Sequence, residues 1–316
     1  MDAPNIRLLG SIELAVPGRR PAAFATRKSR LLFAFLVLAR GRVLARDTVA
    51  AQFWPQLAEA QGRKALNTDL WRVREAFAHV ALDAEDYLYS GADGIGFRDD
   101  SPHWLDIAQV EAAATQAAVR SPEAADDALL AALEQAAALY RGDLLHDVFE
   151  DWCLVQREAF RAAQLRMLDF AMRAHMARRQ WRNALLWGER LLAVDALQEH
   201  VHRAMMHCHC SLGNRPAAIQ QYQSCAQLLS RELGVSPMEE TRRAYQAILS
   251  RTPRVPFDPP PGAEAQRVPA AHGDASILRA VGLAIASIET ARACLLDASA
   301  KLASDRPAEP GPGAAG

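Results

Sequence analysis

The stretch from Gln61 to Ala78, QGRKALNTDLWRVREAFA, carries residue types suited to reading duplex DNA. At helical spacing, Lys64, Asn67, Thr68 and Trp71 fall at i, i+3, i+4 and i+7, giving one stripe of an ammonium, an amide, a hydroxyl and an indole. Lys or Arg suits guanine and phosphate, an amide suits adenine, and an apolar group suits the thymine methyl. Arg63, Arg72 and Arg74 flank the stripe where phosphates would run beside a helix in the major groove. Leu66, Leu70, Val73 and Phe77 form another face, at steps of four, three and four, and need a core to lie against. A solvated amphipathic surface helix would show the same pattern. Two residues complicate the stripe: Asp69 sets a carboxylate beside the cations, and the bulk of Trp71 leaves open whether it packs or reads bases.

The distribution of charge favours nucleic acid. Residues 1–78 hold 13 Lys and Arg against 6 Asp and Glu, although the whole chain has a net charge of −1. Arg27, Lys28, Arg42 and Arg46 lie near expected helix starts, where backbone phosphates bind. Residues 79–100 differ: they contain six acidic residues, and Arg98, their single Lys or Arg, is the candidate DNA contact there. Minor-groove reading by a basic loop tip is therefore not expected there.

Other chemistries find little support. His200, His202, His207, Cys208, His209 and Cys210 suggest a zinc site by residue type, but on a helix Cys208 and Cys210 point about 200° apart. No metal or other cofactor is expected. GADGIG at 91–96 lacks the GxGxxG order, no GxxxxGK[ST] loop occurs, and no nucleophile–base arrangement stands out, so an enzyme is not expected. Five cysteines in apolar runs read as reduced thiols. The N-terminus lacks a signal-peptide core, and Leu31–Ala39, the longest apolar run, is too short to span a bilayer. A cytoplasmic, membrane-free protein is expected.

The elements around the stripe follow from local signals. Ile6–Leu9, Ile12–Val16 and Arg20–Phe24 read as a small antiparallel meander. Thr26 caps a helix that stops at Gly41, Arg42–Ala45 can pair briefly as a strand, and Asp47 is the N-cap expected for a short helix ending at Pro55. After the Gln61–Ala78 helix, Tyr87–Ser90 and Ile95–Arg98 flank the turn GADG as a hairpin. This order is a helix-turn-helix followed by a wing. FATRKSRLLFAFLVLARGRVLARDTVAAQFW and ALNTDLWRVREAF resemble the OmpR/PhoB-type winged helix with the N-terminal meander of SARP-like bacterial activators. By that resemblance Lys64, Thr68, Trp71, Arg72 and Arg74 fall on positions that commonly touch DNA.

From Trp104 to Ser250 the pattern is helical. RNALLWGERLL at 182–192 aligns with PAAIQQYQSCA at 216–226 at a shift of 34, the period of tetratricopeptide hairpins. Ser236-Pro237-Met238-Glu239 reads as a capping box with Pro at the first helical position. EDWCLVQREAF, RLLAVDALQEHVHRAMM and LLSRELGVSPMEETRRAYQAIL resemble the bacterial transcriptional activator domain (BTAD), in which the histidine matching His202 looks structural. Val281, Ile288, Leu295 and Leu302 recur every seven residues beyond a Pro-rich linker.

A mainly α protein is expected. A winged-helix DNA-binding domain occupies 1–100 and an all-α tetratricopeptide-like bundle 104–250. A linker at 251–274, an amphipathic heptad helix at 275–303 and a disordered tail at 304–316 complete the chain. The resemblance implies a promoter-binding activator, oligomeric on repeated half-sites and contacting RNA polymerase. The alternatives are a protein-interaction adaptor with a weakened winged helix, for which Asp69 and the acidic wing argue, and a ligand sensor built around Trp152, Trp181 and Trp187.

Overall fold

The computed structural model describes residues 3–92 and 94–250. The expected linker, heptad helix and tail lie outside the described residues, as does Asp93 of the hairpin turn. Within those residues the chain is mainly helical and divides into two compact units. One joins Ala25–Glu75 to Asp83–Asp100; the other joins residues 3–24, 76–82 and 101–250.

In the first unit, α1 (Arg27–Leu38) opens on the expected cap. Ser29 N donates to Thr26 Oγ1 and Thr26 N donates to Ser29 Oγ, so two otherwise orphaned N–H groups are satisfied reciprocally. Leu44 then makes an isolated antiparallel bridge with Ile95, with N–H···O distances of 2.8 and 2.9 Å, and so supplies the brief pairing expected of Arg42–Ala45. Ile95 belongs to the hairpin of β3 (Leu88–Ser90) and β4 (Ile95–Phe97). Gly96 permits the approach: a Cβ there would stand 2.4 Å from the Arg42 carbonyl oxygen.

The start of α2 (Arg46–Phe53) corrects one expectation. Its N-cap is Ala45, with no side-chain cap, because the Asp47 carboxylate is bound by Arg63. The next helix, α3 (Glu59–His79), contains the whole stretch singled out above. Leu66, Leu70, Val73 and Phe77 are all buried to 4% exposure or less, as the periodicity requires.

In the second unit, β1 (Asn5–Arg7) pairs antiparallel with β2 (Glu13–Ala15) and parallel with β5 (Trp104–Leu105). The expected third strand at Arg20–Phe24 does not form. Ala22 N still donates to Leu14 O at 2.7 Å, but Pro21 has no N–H with which to extend a ladder. The meander is thus paired with the segment that enters the helical domain, although the sequence placed it with the winged helix. At the start of α4 (Asp106–Ala118), the buried Asp106 carboxylate accepts N–H bonds from Leu8 (2.8 Å), Leu9 (2.8 Å) and Ile107 (2.7 Å). Burial raises its pKa above the ordinary carboxyl value, and those N–H bonds oppose the rise.

After α5 (Asp127–Ala138) the chain returns to the meander. Leu145 N donates to Leu8 O at 2.9 Å, and Gly10 N donates to Asp143 O at 3.0 Å. Arg157, on α6 (Asp151–Ala177), braces this loop by donating to the carbonyls of Leu144, Leu145 and Val148.

The repeat follows as α7 (Trp181–Val194), α8 (Glu199–Ser211), α9 (Arg215–Leu233) and α10 (Glu239–Leu249). Helices α7 and α9 start 34 residues apart, and the aligned Ala184 and Ala218 are both fully buried. Small residues here let helices approach: a Cβ on Gly188 would meet Met205 at 2.9 Å. Met206, Ala218, Ala244 and Ile248 join α8, α9 and α10 in one core. The expected capping box at Ser236 is not made. Met238 is the N-cap and its N–H donates to Glu199 Oε1 at 2.6 Å, so a carboxylate from α8 takes the place of a local cap.

Candidate nucleic-acid interface

The four stripe residues of α3, Lys64, Asn67, Thr68 and Trp71, are all exposed. Trp71 is 58% exposed, so the packing alternative does not hold for it. A Trp on a helix otherwise anchored by buried Leu, Val and Phe has no need of that position for the core. Thr68 Oγ1 donates back to Lys64 O at 3.0 Å, which leaves its methyl and hydroxyl lone pairs for other contacts.

Asp69 does not lie among the exposed cations. It is 4% exposed; its Oδ1 accepts from Thr26 Oγ1 at 3.1 Å and from Arg72 Nη1 at 2.8 Å. A carboxylate that looks repulsive to DNA in sequence is instead the pin between the α1 cap and α3. The guanidinium of Arg72 is oriented by the same bond.

The remaining cations separate by what holds them. Arg63 is forked onto Asp47, with Nη2 to Oδ2 at 2.8 Å, and also bonded to Glu59. Those hydrogen bonds and charges hold its pKa above the ordinary arginine value. Lys28 Nζ donates to Phe53 O at 2.7 Å and lies 4.9 Å over the Trp54 ring, which ties α1 to the end of α2. Arg98 Nε donates to Glu85 O at 3.1 Å and its guanidinium stands 5.8 Å from the Tyr89 ring. Arg46 donates to Asn67 Oδ1 (2.9 Å), Ser90 Oγ (2.8 Å) and Gly91 O (3.3 Å), bridging α3 to the hairpin. Together with Arg63, Leu66 and Asn67 it lines a pocket of about 210 Å³. Lys64 and Arg74 make no ion pair with any described residue; Arg27 is exposed at the start of α1. Helical spacing could find the stripe, but the sequence carried no signal for Ser90 or Gly91 as partners of Arg46.

In the helical domain, the histidine-rich run of α8 is spread over several surroundings. His202 is buried, with Nε2 3.0 Å from Ala196 O and Nδ1 2.8 Å from Gln221 Nε2. Burial lowers the pKa of His202, His207 and His209. Burial likewise pushes the Cys208 and Cys225 thiols up to about 12. Among the described residues no three His, Cys, Asp or Glu side chains are grouped to hold a metal ion. Trp187 is 4% exposed, between His175 and Arg190, and Trp181 meets His207 edge-on.

Residues 105–249 match the bacterial transcriptional activator domain. With the winged-helix unit ahead of that domain, the chain is similar in arrangement to SARP-like transcription regulators. It is 24% identical over 253 residues to the transcriptional regulatory protein MoaR1 of Mycobacterium tuberculosis, covering 79% of this chain and 81% of that one. MoaR1 of Mycobacterium bovis is similar to the same extent. A solved structure of Mycobacterium tuberculosis EmbR, in complex with a low-affinity phosphopeptide, shares the fold with a TM-score of 0.66 at 16% identity. That match covers 92% of this chain and 72% of EmbR. Among the described residues no helix is long and apolar enough to cross a membrane.

Proposed function

We propose that this regulator binds promoter DNA through α3. The observation that carries the reading is the two-sidedness of that helix: Leu66, Leu70, Val73 and Phe77 are buried while Lys64, Asn67, Thr68 and Trp71 are all exposed. Lys64, Asn67, Thr68 and Trp71 face base edges in the major groove, and Arg72, Arg74 and Arg27 meet flanking phosphates. Arg63, Lys28, Arg46 and Arg98 act first as internal struts, bound to a carboxylate, a carbonyl or an amide, while Arg72 keeps its bond to Asp69 as it meets phosphate. The adaptor alternative loses one of its two supports, because the Asp69 carboxylate is buried.

One helix reads too few base pairs for a useful specificity ratio, so two copies occupy repeated half-sites. The regulator acts as an activator in the cytoplasm, with the helical domain supplying contacts between subunits and to RNA polymerase. The test is duplex binding at two salt concentrations, using DNA from upstream of the protein's own gene and a random-sequence selection. Affinity that falls steeply with salt and is lost in Lys64→Ala/Arg74→Ala supports the reading. Equally feeble binding by wild type and variant, with nothing enriched by the selection, overturns it.

A further inference from the structure

Arg46 was expected to meet phosphate, yet its guanidinium is turned inward on three acceptors. Nη1 donates to Asn67 Oδ1, Nη2 to Ser90 Oγ and Nε to Gly91 O. A guanidinium has no acceptor atom, so the Asn67 carboxamide must present its oxygen to Arg46 and turn its NH₂ away. Asn67 is exposed in the middle of the reading stripe, and the other two contacts lie in the hairpin. The side chain that fixes the amide is therefore anchored on the wing.

This bears on which base the amide reads. A carboxamide with both ends available makes a bidentate pair with adenine, accepting from N6 and donating to N7. With Oδ1 held on Arg46, the NH₂ is the end left to turn towards a base, and guanine offers two adjacent acceptors, N7 and O6. We propose that Arg46 is a positioning residue for base readout: by holding the Asn67 oxygen against the wing it turns that amide from adenine towards guanine. The inference rests on the DNA-binding reading above. It assigns the wing a part in specificity that needs no basic tip.

The experiment is a random-sequence selection on the full chain, followed by competition with duplexes altered at single positions, for wild type, Asn67→Ala, Arg46→Ala and Arg46→Lys. Lysine keeps the charge but loses the fork, so it separates positioning from phosphate attraction. Wild type should prefer guanine at one position, and that preference should vanish in Asn67→Ala. Both Arg46 variants should move that position towards adenine by roughly tenfold, the scale of one good base contact, with other positions and the salt slope unchanged. A thermal melt of Arg46→Lys close to wild type shows that the fold is intact. The inference is overturned if Arg46→Lys behaves as wild type while Arg46→Ala weakens binding to every sequence and lowers the salt slope by about one, the mark of a phosphate contact. It is also overturned if the wild-type position already favours adenine. Failure of the DNA reading itself shows in the wild type alone, as binding without salt dependence or sequence preference.

Discussion

Helices α3 and α8 are both amphipathic and rich in polar side chains, but they use those groups in opposite ways. On α8 they serve the fold: His202 bonds Ala196 and Gln221, and Arg203 Nη1, 7% exposed as a residue, donates to Thr241 on α10 at 3.0 Å. On α3 the buried face is almost purely apolar, with Asp69 the polar exception, and the stripe of Lys64, Asn67, Thr68 and Trp71 is exposed. Burying a polar group costs free energy unless a partner is supplied, so the bonds made by His202 and by Arg203 Nη1 are elements of stability. An exposed polar stripe that braces nothing buried contributes little to stability and is available for a ligand. The residue types alone do not tell these fates apart.

That contrast is sharpened first at the buried carboxylate of the helical unit. Asp106→Ala strands the N–H groups of Leu8, Leu9 and Ile107 and should destabilise the protein by about 3 kcal/mol, seen as a lowered denaturation midpoint. On α3 the reverse should hold. Lys64→Ala/Arg74→Ala should leave the thermal midpoint almost unchanged yet weaken duplex binding by roughly thirtyfold at 0.1 M salt, measured by titration. A large loss of stability in that variant would break the comparison.

Asp69→Ala tests the one place where α3 behaves like α8. It removes the acceptor shared by Thr26 and Arg72, and should cost about 1.5 kcal/mol in denaturant melts. The smallest expected effect is a pH dependence of α8. Burial lowers the folded-state pKa of His202, His207 and His209 below the ordinary 6.5. The unfolded chain then binds protons more readily, so their contribution is fully present above pH 6.5 and declines as pH falls below it. The decline is at most about 1.4 kcal/mol per pH unit for each histidine. Melts of His202→Gln between pH 7.5 and 5.5 should show a shallower decline than wild type.

Much of the fold was legible because its signals are local. The Thr26 cap, the four-three-four spacing of Leu66, Leu70, Val73 and Phe77, the pairing of Leu88–Ser90 with Ile95–Phe97 and the 34-residue repeat each follow from patterns along the chain. Two errors came where a distant group displaced a local one. Asp47 does not cap α2 because Arg63 binds it, and Ser236 does not cap α10 because Glu199 meets the Met238 N–H. The meander was placed with the winged helix by order along the chain, whereas β1 pairs with β5 and is held by Asp106, about a hundred residues away.

The candidate site divides in the same way. Sequence alone determined that one helix would turn Lys64, Asn67, Thr68 and Trp71 to a common side, because helical geometry needs nothing beyond the spacing. It also determined the basic excess of the first 78 residues. Only the tertiary structure decided which charges remain available: it buried Asp69, tied Arg63 to two carboxylates and turned Arg46 onto the wing and Asn67. The reason is range. Helix faces follow from torsions and periodicity within a few residues, while the partner of a long, charged side chain is whatever acceptor the folded chain brings within about 3 Å of it.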